Sequence, residues 1–318
     1  MLQIGGYLDL SRRDFLNGVS LFCAASTFGK GQSRHLPELR FPSGPRQRLA
    51  VTSWPFRAYI DSGQNRYRDV KLPGWDIRAF PGMIAEKFNV HNINPLGDHF
   101  SSVDAGYLDD FRKAVDAAKS HVVDLGIGGQ SVYSRDASQR KEAVEYGRKW
   151  IDVAVAIGSP SIRQHIKGIR DVTPDVSLAS GTLAEIAQYG SRRNVIVNLE
   201  NDNAIAEDPF FIVAVIQKVN NPYLRALPDM GNSLGAHDAE FNAKAVKAMF
   251  EHAYGMAHVK DSVQCGTGTC AVDLKRMFAI AKASSYRGYF SMEFDTKGGK
   301  DPFEGTRHLI EETLEYLS

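Results

Sequence analysis

The chain has 318 residues, 43% of them hydrophobic and 24% charged, a make-up that supports a sizeable buried core and excludes a disordered or fibrous chain. Lys and Arg number 38 against 37 Asp and Glu. No net field therefore draws the chain to nucleic acid or to an anionic membrane, and a small-molecule partner is expected.

The first recognisable element is Ser11-Arg12-Arg13-Asp14-Phe15-Leu16, followed by a modestly apolar stretch from Val19 to Phe28. An arginine pair ahead of a short apolar run has the make-up of a twin-arginine export signal, and the run is shorter than the about 20 apolar residues that span a bilayer. Residues 1–29 are expected to be that signal, cleaved after Ala25 or Gly29, with the protein exported to the periplasm and no other membrane association. Phe22, where a small residue is needed, argues against lipidation of Cys23. Residues 30–48 form a polar lead, and residues 49–318 are expected to form one catalytic domain.

From Leu49 onward, short apolar runs alternate with helical patterns. The expected strands are Leu49–Phe56, Asn89–Pro95, His121–Gly126, Ser161–Ile166, Asn194–Glu200, Leu224–Asp229, Met256–Asp261 and Gly288–Phe294. Between them, apolar residues at helical spacing predict helices over Tyr107–Ser120, Gln139–Ile157, Leu178–Arg192, Pro209–Val219, Ala243–Ala253, Leu274–Ser284 and Phe303–Leu317. The first unit has the least regular pattern, a long loop over Asp61–Gly74 and a short helix near Phe80–Phe88. Strand followed by helix, eight times over, predicts an α/β fold of the (β/α)₈ TIM-barrel type, with parallel strands and right-handed crossovers. An open doubly wound sheet would carry a Gly-rich turn after its first strand, where this chain has Ser53-Trp54-Pro55-Phe56-Arg57. The run Gly126-Ile127-Gly128-Gly129 reads as a short turn, too weak a pattern to indicate phosphate binding. Cys265 and Cys270 could close a small disulfide loop in an oxidising compartment. A zinc site there lacks a second Cys or His pair.

Active sites of such barrels lie at the carboxyl ends of the strands. Strands five to eight end in Glu200, Asp229, His258 and Glu293, each separated from the next by roughly one βα unit of about 30 residues. Side chains alternate along a strand, so Asn198 and Glu200 oppose Val197 and Leu199, and His258 and Lys260 oppose Ala257 and Val259. The polar set faces the axis. Three converging carboxylates repel one another unless a cation joins them. An O,O,O,N donor set suits one divalent ion, with Mn²⁺ expected and Co²⁺, Mg²⁺ or Zn²⁺ compatible.

With Asn198-Leu199-Glu200-Asn201, Asp229-Met230-Gly231-Asn232, His258-Val259-Lys260-Asp261 and Met292-Glu293-Phe294, the chain resembles the xylose-isomerase-like barrel family of sugar isomerases and epimerases from about Leu49 onward. The resemblance implies that Glu200, Asp229, His258 and Glu293 bind the metal and that Glu200 and Glu293 exchange protons with the substrate. Several epimerases of the family carry a histidine where this chain has Asn232.

The expected activity is epimerisation or isomerisation of a free sugar, keto sugar or glycoside by proton abstraction beside a metal-chelated carbonyl. Two alternatives are a lyase performing β-elimination on a 3-keto-glycoside and a carbohydrate-binding barrel without chemistry. A nuclease would need more metal ligands and a basic face. Lys260 is a candidate catalytic residue that stabilises developing negative charge, or else an ion-pair partner of Asp261 or Asp229. Trp54, His99, Arg163 and His165 are candidate substrate-binding residues, and Phe56 adds to an apolar wall or fills the barrel mouth. The sequence leaves a homo-oligomer possible. If residues 1–29 are a twin-arginine signal, replacing both Arg12 and Arg13 by Lys leaves the precursor in the cytoplasm. Fractionation that finds the double variant processed and exported normally would refute this.

Overall fold

The computed structural model describes residues 37–318; the expected export signal lies outside the described residues. The barrel strands are β1 (Leu49–Thr52), β2 (Asn92–Asn94), β3 (His121–Val122), β4 (Leu125–Gln130), β5 (Ser161–Ile166), β6 (Ile196–Glu200), β7 (Leu224–Leu227), β8 (Met256–Val259) and β11 (Tyr289–Met292). Two further strands, β9 (Ser262–Cys265) and β10 (Gly268–Ala271), form an antiparallel hairpin outside the barrel. The helices are α1 (Phe80–Phe88), α2 (Ala105–Ala117), α3 (Ala137–Ile157), α4 (Val176–Arg193), α5 (Pro209–Val219), α6 (Ala239–Phe250), α7 (Leu274–Ala283) and α8 (Pro302–Leu317).

Parallel pairing runs β3-β2-β1-β11-β8 in one arc and β4-β5-β6-β7 in the other. Single parallel bridges, Leu96 with Gly126 and Asp229 with His258, join the arcs. Since β3 and β4 occupy one position, interrupted at Val123 and Asp124, eight strand positions close into the expected barrel.

The helices start and stop where side-chain chemistry dictates. Asp136, Asp175, Asp208, Asp238, Asp273 and Asp301 cap α3 to α8, each accepting from a backbone N–H of the first turn. Asn89, Gly158, Asn194 and Asn220 end α1, α3, α4 and α5 in the left-handed conformation and turn the chain into the next strand. Apolar side chains such as Leu183, Ile186, Val197 and Leu199 fill the layer between helices and strands. No described helix is long and apolar enough to cross a membrane.

Three expectations are corrected. The first strand stops at Thr52, because Pro55 lacks an N–H to give to a ladder and the chain turns into a 3₁₀ helix over Trp54–Tyr59. The Gly126–Gly129 run is not a turn but the middle of β4. The seventh strand ends at Val259, and the segment after it folds into the β9–β10 hairpin, closed by a Cys265–Cys270 disulfide. Phe56 is fully buried, packed on Phe80, Phe88 and Phe303, so of its two readings packing holds and the apolar wall does not.

Gly190 shows how closely helix and strand approach beneath the site. A Cβ there would sit 2.4 Å from the Val195 carbonyl oxygen, in the turn that leads into β6. Gly190→Ala gains about 1 kcal/mol in helix propensity but forces backbone apart, so a net loss of about 1–3 kcal/mol is expected from overpacking. A urea midpoint equal to or above the wild type's would contradict that close approach.

Candidate metal centre

The strand ends deliver their polar residues to one place. Glu200, Asp229, His258 and Glu293 are 1%, 0%, 0% and 7% exposed, and each offers a ligand atom within 4.8 Å of the others. His258 Nδ1 lies 2.6 Å from Glu200 Oε1 and 3.0 Å from Glu293 Oε2.

The imidazole is aimed from behind. Asn94 donates through Nδ2 to the Asp124 carbonyl at 3.1 Å and to its carboxylate at 3.2 Å, which turns Asn94 Oδ1 toward His258 Nε2 at 2.9 Å. Nε2 therefore carries a proton, and Nδ1 is the nitrogen available to a cation. Asp124 is itself anchored by Ser161 Oγ at 2.5 Å and Asn198 Nδ2 at 2.9 Å. On the next strand, Asn201 brackets the Asp229 backbone, accepting from its N–H at 2.8 Å and donating to its carbonyl at 3.1 Å. Asp229 Oδ1 takes the N–H groups of Gly231 and Asn232 at 2.9 and 2.7 Å, so only Oδ2 remains for a ligand.

Asp229 Oδ2 and Glu293 Oε2 are buried and accept no hydrogen bond, although Lys260 Nζ stands 3.4 and 3.3 Å from them. Two orphaned carboxylate oxygens beside an oriented imidazole nitrogen and Glu200 match the donor set of a divalent cation. The residues present thus fit a metal ion.

Electrostatics points the same way. Burial raises the Glu200 carboxyl, but Arg163 and His258 outweigh it and hold the group well below the usual carboxylate range. Burial likewise opposes ionisation of Glu293, yet Lys260 and His258 bring it to about 2. Asp229 is pushed up to about 7 by burial, with Lys260 resisting and Glu200 and Glu293 adding to the rise. Burial disfavours a charged His258, but Glu200 and Glu293 lift it to about 10. With Asp229 ionised, the three carboxylates would balance Arg163, Lys260 and a protonated His258. A divalent ion in place of the imidazole proton would leave these side chains and the ion one positive charge in excess.

A cleft of about 690 Å³ opens above the cluster, with Trp54, Arg163, His165, Lys260 and Glu293 among its lining residues. Trp54 meets Tyr67 edge-on at 5.0 Å and lies under Arg57 at 4.1 Å. Lys260 donates to Asn232 Oδ1 at 2.8 Å and pairs with Asp229 and Glu293 rather than with Asp261. His99 is the exception among the expected substrate contacts. It is 1% exposed, bonded to Ser53 Oγ at 2.7 Å, and does not line the cleft. Burial first, and Arg57 second, push its pKa down to about 3.

Asn94, Asp124 and Glu207 were not legible as site residues in the sequence. Asn94 stands at the end of β2, where inward polar residues are informative, but an Asn there reads as an ordinary strand terminus.

The fold and the donor set at its carboxyl end define an α/β barrel with a candidate metal site at its strand ends. The chain belongs to the xylose isomerase-like TIM barrel family, which matches residues 87–317. No curated protein matches it in sequence. Among solved structures, the fold is similar to a D-allulose 3-epimerase from Methylomonas sp., with a TM-score of 0.62 and 17% identity over 88% of this chain and 99% of that one. A 3-keto-D-glucoside 4-epimerase from E. coli gives 0.60 and 14% over 85% and 98%. A D-psicose 3-epimerase from Clostridium cellulolyticum H10 gives 0.63 and 12% over 85% and 96%.

Cation binding must displace the proton of His258 and the partial proton of Asp229, so affinity rises with pH, by up to about tenfold per unit for each proton released. Calorimetry of Mn²⁺ uptake at pH 7, in buffers of different ionisation enthalpy, is expected to show net proton release and about one ion per chain. Asp229→Ala and His258→Ala abolish uptake while circular dichroism stays native. Unchanged metal content in both variants, or uptake without proton release, contradicts this site.

Proposed function

We propose that the chain is a divalent-metal-dependent sugar epimerase or isomerase that moves a proton at a carbon beside a carbonyl, on a keto sugar or a glycoside. The observation that carries this reading is the pair Glu200 and Glu293, 2.6 and 3.0 Å from His258 Nδ1, with Glu293 lining a cleft of about 690 Å³. The likeness of the fold to keto-sugar epimerases supports it. A divalent ion held by Glu200, Asp229, His258 and Glu293, with Mn²⁺ the expected one, would polarise a carbonyl and acidify the adjacent C–H.

The two glutamates are not equivalent. Glu293 lines the cleft, and with Oε2 given to the ion its other oxygen, Oε1, is the accessible base. Glu200 lies deeper, with one oxygen toward His258 and the other paired with Arg163. It serves in return of the proton only when substrate loosens one of those contacts. Lys260, between Glu293 and Asp229, is placed to favour negative charge as it develops on a substrate oxygen. Trp54 offers an aromatic face to the apolar side of a sugar ring.

The inequality also favours a second reading, elimination β to a carbonyl, which needs Glu293 alone as base. The outcome with Glu200 separates them.

We further propose that residues 1–29 direct export to the periplasm, ahead of a lead to residue 48 and a catalytic domain over 49–318. The Cys265–Cys270 disulfide supports an oxidising compartment.

A panel of D-allulose, D-fructose, D-tagatose and methyl 3-keto-glucosides, incubated with protein and Mn²⁺ in D₂O, is expected to show deuterium at one sugar carbon with a new epimer or isomer. Glu293→Gln lowers turnover by at least about 10²-fold with metal partly retained. Glu200→Gln does the same if both residues transfer protons, whereas a severe defect in Glu293→Gln alone, with loss of a substituent, marks a lyase. Near-normal turnover in both variants removes proton transfer from the site.

A further inference from the structure

Arg163 and His165 stand two residues apart on β5, both facing inward, and Glu207, in the loop after β6, closes behind them. Glu207 is 2% exposed and both its oxygens are engaged. Oε1 accepts from the Ile166 N–H at 2.6 Å and faces His165 Nδ1 at 2.9 Å, while Oε2 accepts from Asn203 Nδ2 at 2.7 Å. Asn203 cannot turn over, because its Oδ1 accepts the N–H groups of Ala206 at 2.7 Å and Ile205 at 3.2 Å.

On the far side of the ring, His165 Nε2 lies 2.6 Å from Arg163 Nη1. A guanidinium can only donate, so Nε2 must present its lone pair, and the ring proton sits on Nδ1, donated to Glu207. The same Nη1 donates to Glu200. Held from two sides, the guanidinium lies across Gly126, where a Cβ would come within 2.4 Å of Nη2. Nη2 makes no hydrogen bond among the described residues, and both Arg163 and Gly126 line the cleft. A glycine at 126 is what leaves that space to the arginine.

We infer that Glu207 and His165 are positioning residues that fix Arg163 with Nη2 presented to a substrate oxygen carrying or developing negative charge, as a ketone oxygen does. The inference rests on the reading of the cleft as a sugar site. It gives the cleft a second fixed donor, on β5, three barrel positions from Lys260 after β8. Ligand atoms of His165, Asp202 and Glu207 also lie within 4.8 Å of one another. A cation there would have to displace the proton between Nδ1 and Glu207.

The test uses the full chain loaded with Zn²⁺ and labelled with ¹⁵N-histidine, at pH about 8.5, above the ordinary imidazole range. Two-bond ¹H–¹⁵N correlations report the tautomer, and His165→Gln identifies the signal. The wild type is expected to show a neutral ring protonated on Nδ1, and Glu207→Ala to lose that single form. A ring protonated on Nε2 in the wild type overturns the proposal without any variant having to fold. So does an unchanged His165 pattern in folded Glu207→Ala, or a second bound Zn²⁺ with loss of the Nδ1 proton.

On the sugar that exchanges deuterium, Glu207→Ala and Arg163→Lys lower kcat by at least about tenfold and change KM by less than about threefold. Effects confined to KM overturn the role in developing charge. Absence of exchange with every sugar would remove the functional reading, while the tautomer result would still decide whether the pair positions Arg163.

Discussion

Glu200, Asp229 and Glu293 bring three carboxylates to the ends of neighbouring strands with almost no access to water, and like charges in such a place persist only where cations are supplied. The surrounding structure is arranged to supply them. Arg163 reaches Glu200 from β5, Lys260 stands between Asp229 and Glu293, and His258 completes the balance by holding a proton, whose place a metal ion would take. Arg163 comes from β5, whereas His258 and Lys260 come from β8 and the residue after it, so the cluster depends on closure of the barrel. The bridge between Asp229 and His258, where the two arcs meet, lies within the site itself.

A second layer beneath the cluster sets direction rather than charge. Asn94, Asp124, Ser161 and Asn198 come from four barrel positions and form a buried hydrogen-bonded group whose visible effect is to turn His258 Nδ1 upward. Polar groups at that depth are tolerated because most find partners. Glu207 does similar work on the opposite wall, where it settles the tautomer of His165 and through it the placement of Arg163. Two histidines are thereby given opposite assignments, His258 keeping a proton on Nε2, turned away from the cluster, with Nδ1 left for a second proton or an ion, and His165 holding its proton on Nδ1, toward the loop.

The β9–β10 hairpin shows how an insertion outside the barrel bears on the site. Val263 and Val272 pack so closely on Gly231 that a Cβ there would meet them at 3.2 and 2.7 Å. Gly231 lies between Asp229 and Asn232, the acceptor of Lys260. The disulfide-closed hairpin is thus part of the wall that holds Lys260 in place.

The sequence by itself determined the periodic part of this protein. Alternation of strand and helix signals and one acid or imidazole at each of the last four strand ends were enough for the barrel and for the meeting of Glu200, Asp229, His258 and Glu293 at its carboxyl end, because those patterns are local and recur at a fixed spacing. Pro209–Val219 forms over the range its apolar spacing predicts, since Asp208 and Pro209 start it and Asn220 stops it. Only the tertiary structure decided what each polar side chain touches. His99 reads as a cleft residue from its position after a strand, yet it packs beneath the mouth against Ser53. Gly126 to Gly129 read as a turn because glycine is a poor strand former, but β4 needs glycine where the Arg163 guanidinium and the Lys167 backbone crowd it. Asn94 and Glu207 carry no local signature, because their roles arise from contacts with His258, 164 residues away, and with His165, 42 residues away. Hydrogen-bond direction between strands depends on how the barrel closes, and no local pattern in the chain encodes that.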